Sequence, residues 1–213
     1  MLAVSATALA ATAPWQPLFG DPDHPSAQPR VTGSAPPAGQ LALLSVLRRP
    51  QTDEDRGATT QQALRYFGTS TQDVYTDYIR RLPLGSGDLA ATLVPARSWR
   101  LPGGVMTLHD VLCVFVAESN GDGGAKGCYT TAALTRGRAG GSLGSVEYGL
   151  VPDGVAALEV RYANGTQRIA VRDNFYEHRA PPQDVAGGGT TPARSQGTTW
   201  LDADGKPASR QPG

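Results

Sequence analysis

The clearest structural signal of this 213-residue chain lies in residues 145–178, SVEYGLVPDGVAALEVRYANGTQRIAVRDNFYEH. Two runs in which apolar and polar residues alternate, 155–162 and 167–171, flank an Asn-Gly dipeptide at 164–165. Asn-Gly accepts the positive φ angles of a type I′ hairpin turn. A Pro-Asp-Gly turn that begins at Pro152 joins this pair to an earlier strand. These residues predict an antiparallel β-sheet in the second half of the chain.

Further strands and a short helix are predicted around this stretch. Residues 89–99, LAATLVPARSW, and 110–119, DVLCVFVAES, are rich in Val, Leu and Phe, which is typical of strands. Residues 130–137, TTAALTRG, predict one or two helical turns. A last short β-ribbon is expected near 198–208, around a turn at Asp204-Gly205.

The first half of the chain carries helix signals. The run 39–50, GQLALLSVLRRP, has a broad apolar face and ends at a proline. Residues 52–68, TDEDRGATTQQALRYFG, begin with Thr52 as an N-cap and end with Gly68 as a C-cap. The segment 70–83, STQDVYTDYIRRLP, repeats this pattern and predicts a third helix. We interpret the paired arginines of these segments as solvated helix ends.

Together these elements predict an α+β fold, with an N-terminal cluster of about three short helices followed by a mostly antiparallel β-sheet with one disulfide. A single domain is expected at 39–180. Residues 1–38 are interpreted as a signal or anchor remnant and a Pro-rich disordered linker, because ALAATA at 8–13 has the small residues that signal peptidases read. No basic residue precedes it, so an ordinary disordered tail is the alternative. Residues 181–213 are expected to form a Gly/Pro-rich tail that carries the ribbon.

Both cysteines lie in the stretch 112–130, LCVFVAESNGDGGAKGCYT. Cys113 and Cys128 are too far apart for a redox C-x-x-C pair, and two cysteines alone cannot supply a structural zinc site. Their even number, the glycines that let the chain double back and the export-like N-terminus favour a disulfide.

The turn between the cysteines begins like the calcium loop of an EF-hand. Oxygen-bearing side chains stand at Glu118, Asn120 and Asp122 in the spacing of that loop. Tyr129, however, occupies the position that requires a bidentate glutamate, and the flanks read as strands. We therefore predict a solvated hairpin tip and no metal.

Charge and motifs argue against several classes of function. The 19 basic and 19 acidic residues balance, whereas a nucleic-acid surface needs clustered Lys and Arg. The sequence contains no G-x-S-x-G elbow, no H-E-x-x-H motif and no P-loop, and its three histidines are scattered. We predict no catalytic residues from motifs, no cofactor and no nucleic-acid partner.

Polar residues at the ends of strands form the candidate site. They are Asp153, Asp173, Asn174, Tyr176 and Glu177, which lie in EYGLVPDG and VRDNFYEH. Polar groups at strand ends converge in folds of this class. The alternative is that these side chains cap the backbone where the sheet ends.

The pattern VPDGV…NGT…VRDNFY, the cysteine-bearing strand and the LRRPQTDEDR segment carry a resemblance. Over about residues 40–205 the chain resembles a group of uncharacterised exported or membrane-anchored proteins of high-GC actinobacteria, in which two cysteines flank a glycine-rich stretch. The resemblance implies an extracytoplasmic α+β domain, secreted or membrane-anchored. It implies no activity, so it transfers no functional residue.

These observations lead to a functional expectation. The chain is expected to be a non-catalytic extracytoplasmic domain that binds a protein partner or a cell-envelope component, with any membrane contact made through an upstream anchor. One alternative is a hydrolase that uses carboxylates near Asp153, Asp173 and Glu177. Another is a sensory or regulatory ectodomain. The sequence predicts no oligomeric state.

Overall fold

The computed structural model describes residues 31–32, 34–68, 71–85, 89–101, 106–118, 124–185 and 189–213. Within these ranges the helices are α1 (Ala38–Leu43), α2 (Ala58–Phe67) and α3 (Thr131–Thr135), with 3₁₀ turns at Ser45–Arg48, Glu54–Arg56 and Thr76–Tyr78. The strands are β1 (Val31–Thr32), β2 (Thr71–Tyr75), β3 (Arg80–Leu82), β4 (Leu89–Arg100), β5 (Thr107–Glu118), β6 (Gly124–Thr130), β7 (Gly140–Leu143), β8 (Val146–Leu150), β9 (Ala157–Tyr162), β10 (Gly165–Ala170), β11 (Phe175–Arg179), β12 (Pro182–Val185), β13 (Gly189–Pro192) and β14 (Gly197–Leu201). The α+β class with mostly antiparallel sheets is confirmed.

The central sheet has the strand order β1-β2-β4-β5-β6, and β3 also pairs with β4. All its pairings are antiparallel except that of β1 with β2. Strand β5 is apolar without alternation because both of its faces are buried. Its even-numbered residues Leu112, Val114 and Val116 enter a first core, and its odd-numbered residues from Val111 to Ala117 enter a second core.

Helix α2 covers the second core. Its buried residues Ala63 and Phe67 pack on the face of β5 that carries Phe115, with 6.5 Å between the Phe67 and Phe115 ring centroids. Gly68, at φ +46°, ends the helix, as its sequence position predicts.

Three smaller sheets accompany the central one in the described residues, and one of them is the two-stranded pair β12-β13. The sheet β11-β8-β7 closes the first core with Tyr148, Leu150 and Phe175. The sheet β10-β9-β14 surrounds a third core that includes Trp200, of which 1% is exposed. Near the ribbon expected at 198–208, Leu201 forms one isolated antiparallel bridge with Pro207, and β14 pairs with β9.

The third predicted helix, 70–83, is wrong. These residues form β2, a 3₁₀ turn and β3, and both strands pair with β4. Val74 packs in the second core and Leu82 in the first, so one helical face cannot serve both. Pairing with a long buried strand outweighs the local helix signals, because sheet formation depends on tertiary contacts.

The predicted hairpin of β9 and β10 is confirmed, but its turn differs from the expected type I′ geometry. Tyr162 pairs with Gly165, and the positive φ falls on Gly165 (+145°) and not on Asn164. Two successive positive φ values occur instead at Asp173 (+49°) and Asn174 (+61°), the pattern of a type I′ turn.

The predicted disulfide is confirmed. Cys113 on β5 and Cys128 on β6 are directly paired, with Cα atoms 3.9 Å apart, and both are buried in the second core. Glu118 ends β5, whereas Asn120 and Asp122 lie outside the described residues, so the expected solvated tip stays a prediction.

Candidate functional site: the cleft between β10 and β11

A cleft lies between β10 and β11, two consecutive strands that belong to different sheets. The turn at Asp173-Asn174 joins them at one pair, Arg172 and Phe175, whose backbones exchange two hydrogen bonds of 2.9 Å. Beyond that pair the strands separate, because β10 continues along β9 and β11 continues along β8. We call the space between them the β10–β11 cleft; its volume is about 340 Å³.

Strand β10 directs a backbone edge toward β11. The amide of Val171 donates to the carbonyl of Ala156 in the chain that leads into β9, over 3.0 Å. Strand backbones alternate in direction, so the N–H and C=O groups of Arg168 and Ala170 point away from β9. The backbone groups of Arg172 point in the same direction as those of Arg168 and Ala170, and they bond to β11. This edge of β10 therefore faces the cleft.

Strand β11 directs an edge toward the same space. On its other side, the carbonyl of Asn174 accepts a hydrogen bond from the amide of Val151, which follows β8, over 2.9 Å. By the same alternation, the backbone groups of Glu177 and Arg179 face β10. The cleft is therefore bordered by two strand edges that the sheet pairings of the described residues leave open.

Charged side chains line the cleft. The lining residues include three arginines, Arg168, Arg172 and Arg179, and one glutamate, Glu177. Glu177 Oε1 accepts a hydrogen bond from the amide of Gly85 over 2.6 Å, and Arg179 donates to Ser145 Oγ over 2.8 Å. Within the described ranges, no carboxylate lies within ion-pair distance of Arg172. The lining is thus cationic overall.

His178 brings buried polar atoms to the lining. Its side chain is 5% exposed, and its Nε2 lies 2.6 Å from the hydroxyl of Tyr162 and 3.4 Å from a carboxylate oxygen of Glu147. Burial lowers the pKa of His178, and Glu147 opposes that shift. His178 Nδ1 and Oε1 of Gln167, a second lining residue, have no hydrogen-bond partner among the residues the structure describes.

Two of the predicted site residues meet outside the cleft. Asn174 is buried, and its Nδ2 donates to Asp153 Oδ1 over 2.9 Å. Asp153 Oδ1 accepts the amide of Ser45 over 2.7 Å, and its other oxygen pairs with Arg48 at 2.8 Å. Asn174 Oδ1 accepts the amide of Val46 over 3.0 Å. This network of hydrogen bonds connects the 3₁₀ turn at 45–48 to two loops of the smaller sheets. Asn174 and Asp153 therefore cap the backbone where the sheet ends, which is the alternative interpretation of the sequence.

The other three predicted residues lie apart from that network. Asp173 is exposed at its turn. Tyr176 lies on the opposite face of β11 from Glu177, over Gly149, where a Cβ atom would be 2.8 Å from the tyrosine ring. Burial raises the pKa of Tyr176 to about 12. Glu177 alone of the five lines the β10–β11 cleft.

The cleft residues Gln167, Arg172, His178 and Arg179 were missed by the sequence reasoning. Each alternates with apolar residues in a strand or stands beside a turn, as ordinary surface residues do. What makes them a group is the separation of β10 from β11, and no local pattern encodes that.

The interpretation of the arginine pairs as solvated helix ends is wrong for Arg49 and Arg80. Arg49 donates two hydrogen bonds to the buried carboxylate of Asp55, at 2.7 and 2.9 Å. Arg80 is 3% exposed and directs its guanidinium at backbone carbonyls. Both arginines hold the fold together and neither reaches the cleft.

No group of three His, Cys, Asp or Glu side chains in the described ranges is arranged to hold a metal ion. Among the same residues, no helix is long and apolar enough to cross a membrane. Comparison with protein-family models found no match, and comparisons with curated proteins and with solved structures found none either.

Proposed function

We propose that this chain is an extracytoplasmic domain, secreted or membrane-anchored, that binds a protein partner or a cell-envelope component and does not catalyse a reaction. The β10–β11 cleft is the observation that carries this proposal. Two open strand edges and a lining that includes arginines meet in it. Such an arrangement suits recognition, because an open strand edge offers main-chain hydrogen bonds to a partner in extended conformation.

The disulfide supports the location. Cys113–Cys128 lies in the second core, and disulfides form and persist in oxidising compartments outside the cytoplasm. The resemblance to exported actinobacterial proteins points the same way.

The carboxylates favour binding over the hydrolase alternative. A general acid needs a raised pKa. The pKa of Asp153 is instead lowered: burial opposes the shift, but hydrogen bonds from Asn174, Arg48 and Ser45 outweigh it. Asp153 and Glu177 also accept hydrogen bonds from different parts of the chain, and of the two only Glu177 lines the cleft.

Photo-crosslinking in the cells that make the protein tests the proposal. A photoreactive amino acid is placed at Ala170, which is exposed on the cleft edge of β10, and, as a matched control, at exposed Ala132 on α3. We expect a light-dependent adduct at Ala170 in the extracytoplasmic fraction and none at Ala132. Equal yields at both positions, no adduct at either, or fractionation of the protein with the cytosol would contradict the proposal.

A further inference from the structure

We propose that the β10–β11 cleft binds an extended, acidic peptide segment of a protein partner, which adds as a strand to the open edge of β10. This inference rests on the proposed binding function and names the chemistry of the partner. It follows from the backbone geometry of the cleft and the charge of its lining.

The backbone geometry comes first. Arg168 and Ala170 each direct an N–H and a C=O away from β9, with the spacing of alternate strand residues. This edge is exposed, and peptides in extended conformation bind such edges through main-chain hydrogen bonds. Edge strands are often protected by charge or by a covering segment. Here the edge opens into a cleft whose far wall is a second strand.

The positive charge of the cleft lining favours a peptide with acidic side chains. Arg172 and Arg179 flank the cleft, and the carboxylate of Glu177 is already bonded to the amide of Gly85. Arg168 is also a lining residue, and its guanidinium lies near Gly205. A peptide with carboxylate side chains complements two arginines, and a basic peptide meets like charge.

The test is a titration of the isotopically labelled full chain, followed by amide chemical shifts. The probe is a short peptide in which glutamate and threonine alternate, and its matched control has lysine in place of glutamate. We expect the acidic peptide to shift the amides of Arg168 and Ala170, with little effect from the basic one. Equal shifts from both peptides, no shift, or the same shifts from free glutamate would overturn the inference, since the last would indicate a simple anion site.

Main-chain pairing is tested by modifying the peptide, so the folding of the protein is not affected. Alternate amides of a bound strand face its neighbour. N-methylation of one alternate set of peptide amides should abolish binding, and methylation of the other set should leave it. Equal effects of the two sets would rule out strand addition.

The charge contribution is tested with Arg172→Glu, which should weaken binding of the acidic peptide about tenfold. Arg210→Glu, an exposed position near the C-terminus, should leave it unchanged. Equal effects would overturn the role of the cleft arginines. If Ala170 crosslinks to a partner while every peptide fails, the proposed binding function stands and this inference falls.

Discussion

The buried side chain of Arg80 stabilises this fold through hydrogen bonds rather than through apolar packing. Its guanidinium donates to the carbonyls of five residues in the 3₁₀ turns and loops around it, at 2.6 to 3.2 Å: Val46, Leu47, Arg49, Asp77 and Ile79. Burial lowers the pKa of Arg80, with the nearby Asp55 carboxylate acting against that shift. Short turns leave many carbonyls without a helical partner. The planar guanidinium of Arg80 donates hydrogen bonds to several of these carbonyls at once.

We therefore predict that Arg80→Lys destabilises the protein by about 2 kcal/mol, because an ammonium group cannot reach carbonyls in so many directions and leaves buried acceptors unpaired. Urea unfolding measures the change. Arg81→Lys is the matched control, since the neighbouring side chain is half-buried and Arg81 contributes its backbone amide to Asp55. Equal losses in the two variants would show that the fork geometry is unimportant.

Asp55 gives a second prediction at this scale, on pH. Burial opposes its ionisation, but hydrogen bonds from Arg49, Thr52 and Arg81 outweigh burial and lower its pKa from 3.8 to about 2. A carboxylate with a depressed folded pKa stabilises the protein above the unfolded pKa, and this stability is lost as pH falls through the folded pKa. The linked free energy is about 2 kcal/mol.

Asp55→Asn should therefore lower stability at pH 7 and flatten the loss of stability between about pH 4 and pH 2. Unfolding midpoints measured across that range provide the readout. Asp53→Asn is the control two residues away, where the side chain is fully exposed. A variant at Asp55 with the same acid sensitivity as the parent would contradict this assignment.

At the scale of elements, the sequence predicted those strands and turns whose local signals agree with their tertiary setting. Strands β4, β5 and β9, the C-cap of α2 and the disulfide follow from alternation, turn residues and spacing. The predicted N-cap, Thr52, is wrong, because a separate 3₁₀ turn follows it and α2 begins only after Gly57. The segment 70–83 has local helix signals, yet it forms two strands that pair with β4. Asp173 and Asn174 were predicted to lie at a strand end, but the separation of two strands at this turn depends on which partners β10 and β11 find elsewhere. The cleft was therefore not predictable from local pattern.

At Asp173 and Asn174, the contribution of backbone conformation to stability can be measured separately from the contribution of side-chain hydrogen bonds. Both have positive φ, which glycine adopts without strain. We predict that Asp173→Gly is neutral or slightly stabilising, because Asp173 is exposed. Asn174→Gly should cost about 2 to 3 kcal/mol, because the hydrogen bonds to Val46, Val151 and Asp153 are lost while φ is preserved. Thermal unfolding of the two variants compares them directly, and equal effects would mean that the Asn174 network contributes little.

At the scale of the whole molecule, β5 is the element that both halves of the structure share. Its two faces belong to the first and second cores, and the first core also includes residues from the sheet of β11. The disulfide fastens β5 to β6 at the edge of the central sheet. Phe175, at the start of the strand that forms one wall of the cleft, packs in the same core as three residues of β5.

This arrangement predicts the effect of the disulfide on unfolding. Closing a loop of this size, with cysteines 15 residues apart, restricts the unfolded chain, and in the loop-entropy model it stabilises the fold by about 3 kcal/mol. Urea unfolding with and without reductant leaves the sequence unchanged, so it isolates the crosslink from the packing of Cys113 and Cys128. We expect the midpoint to fall with reductant in one cooperative transition, seen alike by far-UV circular dichroism and by tryptophan fluorescence, to which Trp99 beside the second core and Trp200 in the third core contribute. Two separate transitions would contradict a single cooperative unit, and alkylation of both cysteines in the folded, unreduced protein would contradict the disulfide.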